Sequence, residues 1–276
     1  MGKARGRENP YPPHAPLRQT PPMPTTHPWR LFDRLAPVYD TVLPFFAAAG
    51  REFMAVLDPS PKTRFLDLGC GLGALTGPAL DRGCEVTAVD AAPAMVAGLA
   101  AAHPAARALV GDAQALDLPE KSFDLVGAAF VVHLLPEPAR AVAEAHRVLA
   151  PGGRFAMSGH APVTTEAPGN LAHEMDALFG EFAEYLPPEG GMGAPVDPVD
   201  ALTTAGFTGV TSTAVDFTVA VPDGDALWRW CLGHGYRAFI DDLPKSRQRE
   251  FGERMRALHR PGAVIRRGLA VVTGKR

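Results

Sequence analysis

Three glycines at alternate positions follow an acidic residue in the stretch FLDLGCGLGALT, residues 65–76. The acid is Asp67, and the glycines are Gly69, Gly71 and Gly73. The stretch begins with the apolar pattern of a buried strand and continues as a helix, so the glycines occupy the turn between the two. Glycine lets a ligand approach the backbone closely, and the following helix presents free N–H groups. The pattern therefore indicates a ligand-binding turn.

Side chains suited to binding a nucleoside follow at the ends of the next two strands. Asp90 ends EVTAVD, about 20 residues beyond the loop, where an acid can accept hydrogen bonds from ribose hydroxyls. Met95 lies inside the next helix and could cover an adenine face, and Asp112 ends ARALVGD and could bind an adenine amino group. Each also has a structural alternative, as a helix cap, a core residue and a turn residue respectively. Their order at successive strand ends favours an adenosine-binding site.

Seven apolar stretches predict the strands that position these residues, and helical patterns separate most of them. The strands are RFLDLG, EVTAVD, ARALVGD, SFDLVGAAF, RFAMSGH, GVTSTAVDFTVAV and AVIRRGLAVVTGKR. Strands that are apolar on both faces and alternate with helices are typical of a parallel sheet covered on both sides. We therefore expect an α/β fold with a doubly wound, Rossmann-like, mostly parallel seven-stranded sheet and helical lid insertions.

The chain divides into a tail and one domain. Residues 1–28 hold eight of the 28 prolines and almost no aliphatic side chains, so we expect a disordered tail there. Residues 29–276 then form the domain. The regular alternation weakens at 160–196 and again at 222–262, and these two segments are the expected lids over the sheet.

The composition argues against several classes of protein. The 27 basic and 30 acidic residues give a formal net charge of -3, without the basic excess that nucleic-acid binding favours. The longest apolar stretches are much shorter than the ~20 residues of a membrane-spanning helix. The three cysteines form no CxxC pair and are typical of thiols in a reducing compartment. We expect a soluble cytoplasmic protein with no nucleic-acid partner, no membrane span and no metal site.

The order of these motifs resembles that of a known enzyme family. DLGCGLG and VTAVDAAPAMV are similar to the first two motifs of the class I S-adenosylmethionine-dependent methyltransferases. The segment from GDAQALDLPEKSFDLVG to RVLAPGGRF resembles the small-molecule branch that includes the ubiquinone and menaquinone C-methyltransferases, the methyltransferase type 11-like proteins. The likeness covers roughly residues 29–160, including LFDRLAPVYD, and fades beyond them.

The resemblance implies S-adenosyl-L-methionine as the cofactor and assigns roles to residues around it. Asp67 would hold the loop, Tyr39 would approach the cofactor carboxylate, and Phe130, at the end of the fourth strand, would lie near the methionine amino group. The full set of implied cofactor-binding residues is Tyr39, Asp67, Gly69, Cys70, Gly71, Asp90, Ala91, Met95, Asp112, Ala113 and Phe130.

A methyl sulfonium is already activated, so the enzyme must mainly align the acceptor and exclude water. A base is needed only if the acceptor loses a proton. His133, which follows the fourth strand, is the candidate catalytic residue, ahead of His160 and His234.

The acceptor must be recognised largely outside the cofactor motifs, and we expect a small, planar or lipophilic molecule. The aromatic residues of the second lid segment either line its pocket or form the packed face of a covering helix; they are Trp228, Trp230, Tyr236 and Phe239.

Three functions remain open at the level of sequence. The first is methyl transfer to a small organic acceptor, at a carbon, oxygen or nitrogen atom. The second is cofactor binding without catalysis. The third is a nicotinamide-dependent oxidoreductase, which the spacing of the glycines disfavours because a dinucleotide loop reads G-x-G-x-x-G. The acceptor and the oligomeric state are not specified by the sequence.

Overall fold

The computed structural model describes residues 29–165, 167–187 and 196–276. The predicted tail, residues 1–28, lies outside the described residues. Within them a single sheet contains seven strands in the order β3-β2-β1-β4-β5-β7-β6. The strands are β1 Arg64–Leu68, β2 Glu85–Asp90, β3 Arg107–Val110, β4 Phe123–Ala128, β5 Leu149–Ala161, β6 Thr208–Ala220 and β7 Val264–Lys275. The strands from β3 to β5 pair in parallel, and β7 runs antiparallel to both β5 and β6. The expected doubly wound, mostly parallel sheet is confirmed.

Ten helices surround this sheet in the described part of the chain. They are α1 Trp29–Leu35, α2 Phe45–Leu57, α3 Thr76–Asp81, α4 Pro93–Ala102, α5 Pro138–Val148, α6 Ala172–Phe182, α7 Pro198–Thr204, α8 Gly224–Leu232, α9 Tyr236–Asp242 and α10 Lys245–Ala257. Prolines stand in the first turn of α4 and α5, where the missing N–H costs nothing. Asp223 caps α8 by accepting a hydrogen bond from the Ala226 N–H at 2.6 Å. None of the helices in these described ranges is long and apolar enough to cross a membrane.

The two faces of the sheet carry different helical layers. Successive strand residues point to opposite faces, so Phe65 and Leu66 belong to separate cores. On the Phe65 face, buried side chains of α2, α3, α6, α8, α9 and α10 form one apolar cluster. On the Leu66 face, α5 and α7 pack against the sheet. The segments expected to be lids therefore supply a helical layer on one face.

The strand order reverses between β1 and β4, which is where open α/β sheets bind ligands. The glycine loop leaves the carboxyl end of β1, and residues 129–131 leave the adjacent end of β4. Asp90 ends β2, next to β1 on the other side. The topology thus brings the predicted site residues to one edge of the sheet.

One sequence-based boundary was wrong. The fourth strand ends at Ala128, two residues before Phe130, which the sequence pattern put at the strand end. Phe130 has a φ of 60°, a left-handed conformation that a strand residue cannot have. Its N–H instead donates a hydrogen bond to the Ser158 hydroxyl at 2.7 Å. This bond turns the chain out of the sheet at the ligand-binding edge.

Candidate active site

Two glycines of the loop are crowded by neighbouring side chains, and the third faces a cavity. Gly69 has a φ of 69°, and a Cβ there would lie 2.3 Å from a Val131 methyl group. A Cβ on Gly73 would lie 2.8 Å from the His103 ring. At Gly71 the nearest atom to such a Cβ is a Tyr39 ring carbon 3.9 Å away, so bare backbone faces a cavity. Packing requires the outer two glycines, and the middle one opens the loop to a ligand.

Asp90 connects the loop to the start of α4. Its carboxylate accepts hydrogen bonds from the Gly71 N–H and the Ala92 N–H, each at 2.9 Å. Burial raises the pKa of this carboxyl group above its ordinary value, and the backbone donors of Ala92, Gly71 and Ala91 oppose that rise. A carboxylate has about four acceptor positions, so these bonds leave capacity for ligand hydroxyls. The N-cap of α4 is Ala92, so the helix-cap alternative does not describe Asp90.

Asp67 lies beneath the loop and does not line a cavity. It is 2% exposed and accepts a hydrogen bond from the Thr76 hydroxyl at 2.7 Å. Burial raises the pKa of Asp67 to about 7, although the bonds from Thr76 oppose the rise. This carboxyl group joins the end of β1 to the start of α3 and holds the loop between them.

Two neighbouring cavities lie along the loop and share the walls formed by Tyr39, Gly69, Gly71, Ala129 and Phe130, and we call them together the first cavity, with two ends. One end, which we call the Met95 end, includes most of the remaining residues predicted for the cofactor. Those residues are Asp90, Ala91, Met95, Asp112 and Ala113. Cys70 lines the other end, the Arg51 end, and is 4% exposed. Its pKa is raised well above the ordinary value by burial, so the thiol is not a nucleophile.

Helix α1 covers the Met95 end, and sequence reasoning missed its contribution. Trp29 and Phe32 line the cavity beside Met95. Asp33, on the same helix, accepts a hydrogen bond from the Ala94 N–H at 2.7 Å and so ties α1 to the start of α4. Within the described part of the chain, the Trp29 Nε1 group is buried without a hydrogen-bond partner. A buried unpaired donor in this wall is suited to a polar ligand atom.

The Arg51 end of the first cavity carries charges of both signs, from Arg51, Asp40 and Asp81. Tyr39 stacks on Phe46 with ring centroids 4.8 Å apart, which fixes the phenol ring over the loop. Asp40 accepts hydrogen bonds from the Phe46 and Ala47 N–H groups at 2.9 Å and so caps the first turn of α2. Arg51 lies one and a half turns further along α2 and also lines this end, where it was missed from the sequence. A guanidinium in this position can bind a ligand carboxylate.

Phe130 borders the first cavity and also a second one. It lines both ends of the first cavity and also the second cavity, which extends over β5, β7 and β6. The second cavity has a volume of about 820 Å³, enough for a multi-ring organic molecule. Its walls are mixed apolar and polar: Phe45, Phe130, His133, Met157, Ser158, Gly159, His160, Asp176, Val196, Phe217, Tyr236, Arg267, Gly268 and Leu269.

Two of the three histidines weighed from the sequence line the second cavity. His133 lies in a 3-10 turn directly after Phe130 and is partly buried. Burial lowers its pKa below the ordinary value of 6.5, so the ring is neutral and can accept a proton near neutral pH. His160 is exposed at the rim. His234 is 5% exposed, and its Nδ1 donates to the Trp230 carbonyl at 2.6 Å, which makes it a packed core residue.

The four aromatic residues of the second lid segment have different surroundings. Tyr236 lines the second cavity. Trp230 is 3% exposed and stacks on His234, and Phe239 packs against Phe179 in the helical layer. Trp228 lies at a surface groove with the Arg256 guanidinium 5.2 Å from its ring centre. The pocket alternative thus fits Tyr236, and the packing alternative fits the other three.

The residues lining the first cavity match the chemistry of an adenosine-containing sulfonium cofactor. It combines a carboxylate at Asp90, bare backbone at Gly71, apolar walls at Met95 and Phe32, and a guanidinium at Arg51. Each of these matches one part of such a ligand, from ribose and adenine to an amino-acid carboxylate. Within residues 29–165, 167–187 and 196–276, no group of three or more metal-ligating side chains comes together.

Comparisons with known proteins agree with this site. The family model described as "Methyltransferase domain" matches residues 66–157. The chain is 32% identical over 240 residues to nocamycin O-methyltransferase of Saccharothrix syringae, covering 79% of this chain and 85% of that protein. It is 35% identical to aklanonic acid methyltransferase DauC of Streptomyces sp. strain C5, over 46% of this chain and 62% of that one. Among solved structures, the YcgJ protein of Bacillus subtilis shares the fold, with a TM-score of 0.52 and 17% identity over 83% of this chain and 98% of its own.

The sheet order and the glycine loop with its acid define a doubly wound α/β protein whose switch point is suited to an adenosine cofactor. The chain belongs to the class I S-adenosylmethionine-dependent methyltransferases. It is an enzyme that methylates a small organic acceptor, the first of the three functions that the sequence left open. Its likeness to the ubiquinone and menaquinone branch stays a prediction.

Proposed function

We propose that the protein transfers a methyl group to an oxygen atom of a small organic acceptor bound in the second cavity. The observation that carries this proposal is the position of Phe130, whose side chain lines the first and second cavities at once. A methyl group held at Phe130 would therefore face the second cavity. Oxygen as the acceptor atom is supported by the relative called nocamycin O-methyltransferase, which matches over most of its length, and by shorter matches to malonyl-[acyl-carrier protein] O-methyltransferases.

The residues of the first cavity would hold the cofactor in one orientation. When bound, S-adenosylmethionine supplies a methyl group already activated on a sulfonium sulfur. We propose that Asp90 binds the ribose, that Met95 and Phe32 enclose the adenine, and that Tyr39 and Arg51 hold the amino-acid carboxylate. The other proposed contacts are Gly69, Cys70, Gly71, Ala91, Asp112, Ala113 and Phe130, with Asp67 holding the loop from below.

His133 is the proposed general base for an acceptor hydroxyl that must lose its proton. It lies three residues beyond Phe130, in the second cavity, and it is neutral near pH 7 because burial lowers its pKa. A neutral imidazole can accept the hydroxyl proton as the oxygen is methylated. His160 is the weaker candidate, since it is exposed at the rim where water competes for the ring nitrogens.

The walls of the second cavity favour a planar or lipophilic acceptor. Phe45, Phe217 and Tyr236 present aromatic surfaces, and Leu269 adds an aliphatic one. The near-neutral charge of the chain argues against a nucleic-acid acceptor. We also propose a cytoplasmic location, because the three cysteines of the described ranges are buried free thiols.

Methyl transfer from cofactor labelled in its methyl group tests this proposal directly. The protein is incubated with labelled S-adenosylmethionine and fractions of a small-molecule extract, and labelled products are separated and their new bond is assigned by NMR. We expect a labelled O-methyl product, and we expect the His133→Asn variant to form it far more slowly than the wild type or a His173→Asn control on the exposed face of α6. Products labelled only on carbon or nitrogen would contradict the assignment to oxygen.

A further inference from the structure

The second cavity contains a cation whose position the methyl-transfer chemistry does not explain. Arg267 lies on β7, and its side chain is only 18% exposed. It projects from the same face of the sheet as Ile265 and Leu269, toward the helical layer of α6 and α8–α10. A largely buried guanidinium costs desolvation unless it has an anionic partner.

The partner in this structure is a carboxylate from the opposite wall. The two Nη atoms of Arg267 donate to the two carboxylate oxygens of Asp176 at 2.5 and 2.7 Å. Asp176 belongs to α6, and its side chain is 56% exposed, so it meets the guanidinium from the solvent side. A guanidinium carries five N–H groups, more than this ion pair uses. When a ligand anion takes its place, Asp176 can turn into water, whereas Arg267 stays inside the cavity.

Tyr236 adds a neutral donor beside the cation. Its hydroxyl interacts with the Arg267 guanidinium, and both side chains line the second cavity. Burial raises the pKa of the Tyr236 phenol, so it keeps its proton and can donate a hydrogen bond. A guanidinium and a phenol side by side form a site for an oxygen anion.

This pair lies at the far end of the cavity from Phe130. The Phe130 N–H donates a hydrogen bond to the Ser158 hydroxyl, and Ser158 lies opposite Val271 where β5 pairs with β7. Arg267 is four residues further along β7, which corresponds to roughly 13 Å of strand. Phe130 and Arg267 both line the second cavity, so a molecule of two or three rings could contact both of them.

We propose that the second cavity binds a planar acceptor that carries an ionised acidic group, and that Arg267 and Tyr236 bind this group at the end remote from Phe130. The acid anchors the molecule, and a different oxygen atom, near His133, receives the methyl group. This inference rests on the proposed function, because it takes the second cavity as the acceptor site. It adds the chemical class of the acceptor and the residues that select it.

Two matched probes test the proposal without a turnover measurement. They are 6-hydroxy-2-naphthoate, which is an anion, and 6-hydroxy-2-naphthamide, which has the same shape without the charge. Each is titrated calorimetrically into the full-length protein saturated with S-adenosylhomocysteine. We expect the wild type to bind the anion at least about tenfold more tightly than the amide, and Arg267→Gln to lose this preference. Equal binding of the two probes by the wild type, or binding of neither, overturns the proposal.

Control variants distinguish the effect of the Arg267 cation from the effect of its ion pair with Asp176. Arg254 and Glu181 form a similar two-bond ion pair between α10 and α6 outside the second cavity, so Arg254→Gln should keep the preference. Asp176→Asn should keep or strengthen it, because the variant removes the competing carboxylate. A loss of preference in Asp176→Asn equal to that in Arg267→Gln would overturn the proposal. If a variant fails to fold, the comparison of the two probes on the wild-type protein still decides the proposal. Binding of S-adenosylhomocysteine is measured separately and tests the cofactor site.

Discussion

Replacement of Asp90 should separate its two roles, which the structure combines in one carboxylate. Asp90→Ala removes the acceptor for the Gly71 and Ala92 N–H groups as well as the proposed acceptor for ribose hydroxyls. Asp90→Asn keeps the shape and one carbonyl oxygen but removes the charge. The alanine variant should therefore affect both folding and cofactor binding, whereas the asparagine variant should mainly affect cofactor binding.

The magnitudes follow from the bonds that are lost. Hydrogen bonds to a charged acceptor contribute about 1.5–3 kcal/mol, so either variant should raise the cofactor Kd by about 10- to 150-fold. Two backbone donors left without an acceptor in Asp90→Ala should lower the free energy of unfolding by about 1–3 kcal/mol. Asp90→Asn should lower stability by less than Asp90→Ala, because its carbonyl oxygen still accepts one of the two backbone bonds and the neutral amide avoids the desolvation cost of the buried carboxylate.

Calorimetric titration with S-adenosylhomocysteine and urea unfolding measure the two effects. Asp223→Ala is the matched control, because it also removes the acceptor of a helix N–H, that of Ala226, but in α8 away from the first cavity. It should lower stability without changing cofactor affinity. An Asp90→Asn variant that binds the cofactor within about twofold of the wild type would refute the ribose assignment.

Three further perturbations address the loop, the base and the buried acid. Gly69→Ala should lower the free energy of unfolding by about 2–4 kcal/mol, from the left-handed backbone and the contact with Val131; a loss below about 1 kcal/mol in urea unfolding would contradict this. The rate of wild-type methyl transfer should fall as the pH drops through the lowered pKa of His133. The slow residual rate of His133→Asn should not show this fall at low pH. If the fall is retained in the variant, His133 is excluded as the base. Because burial raises the pKa of Asp67 to about 7 from an ordinary value near 3.8, the folded state holds a proton that the unfolded state releases, so stability falls as pH rises between these values. Asp67→Asn should remove this pH dependence of stability. If the melting temperature of the variant changes with pH between these values as much as that of the wild type, Asp67 is not its source.

Much of the fold and of the cofactor site could be predicted because their signals are local. Asp90, Met95 and Asp112 each lie within a few residues of a strand end, so the strand pattern alone aligned them at one edge. The glycine loop was similarly informative, since its spacing excludes a regular strand or helix. Such features depend on neighbours in sequence and need no knowledge of tertiary contacts.

The parts that sequence reasoning missed depend on contacts between distant segments. Arg51 reaches the first cavity only because α2 packs beside the loop, and Trp29 does so because Asp33 ties α1 to α4. Phe130 has a left-handed backbone set by Ser158, 28 residues away, which no local pattern indicates.

The second cavity was harder still, because its chemistry is assembled from separate strands and helices. Its cation comes from β7, the last strand, and the partner carboxylate comes from α6, separated by 91 residues. Neither belongs to a motif, and the aromatic composition of the second lid segment did not distinguish Tyr236 in the cavity from Trp230 in the core. Only the packing of the helical layer on the sheet separates these roles.

The central claim is that a cofactor cavity and an acceptor cavity adjoin each other at Phe130. A crystal structure of the protein with S-adenosylhomocysteine tests it most directly. The account predicts ribose hydroxyls within hydrogen-bonding distance of Asp90, adenine against Met95, and a sulfur atom beside Phe130 whose open side faces His133 and the second cavity. A sulfur atom directed away from the second cavity, or shielded from it by the Phe130 ring, would contradict the account.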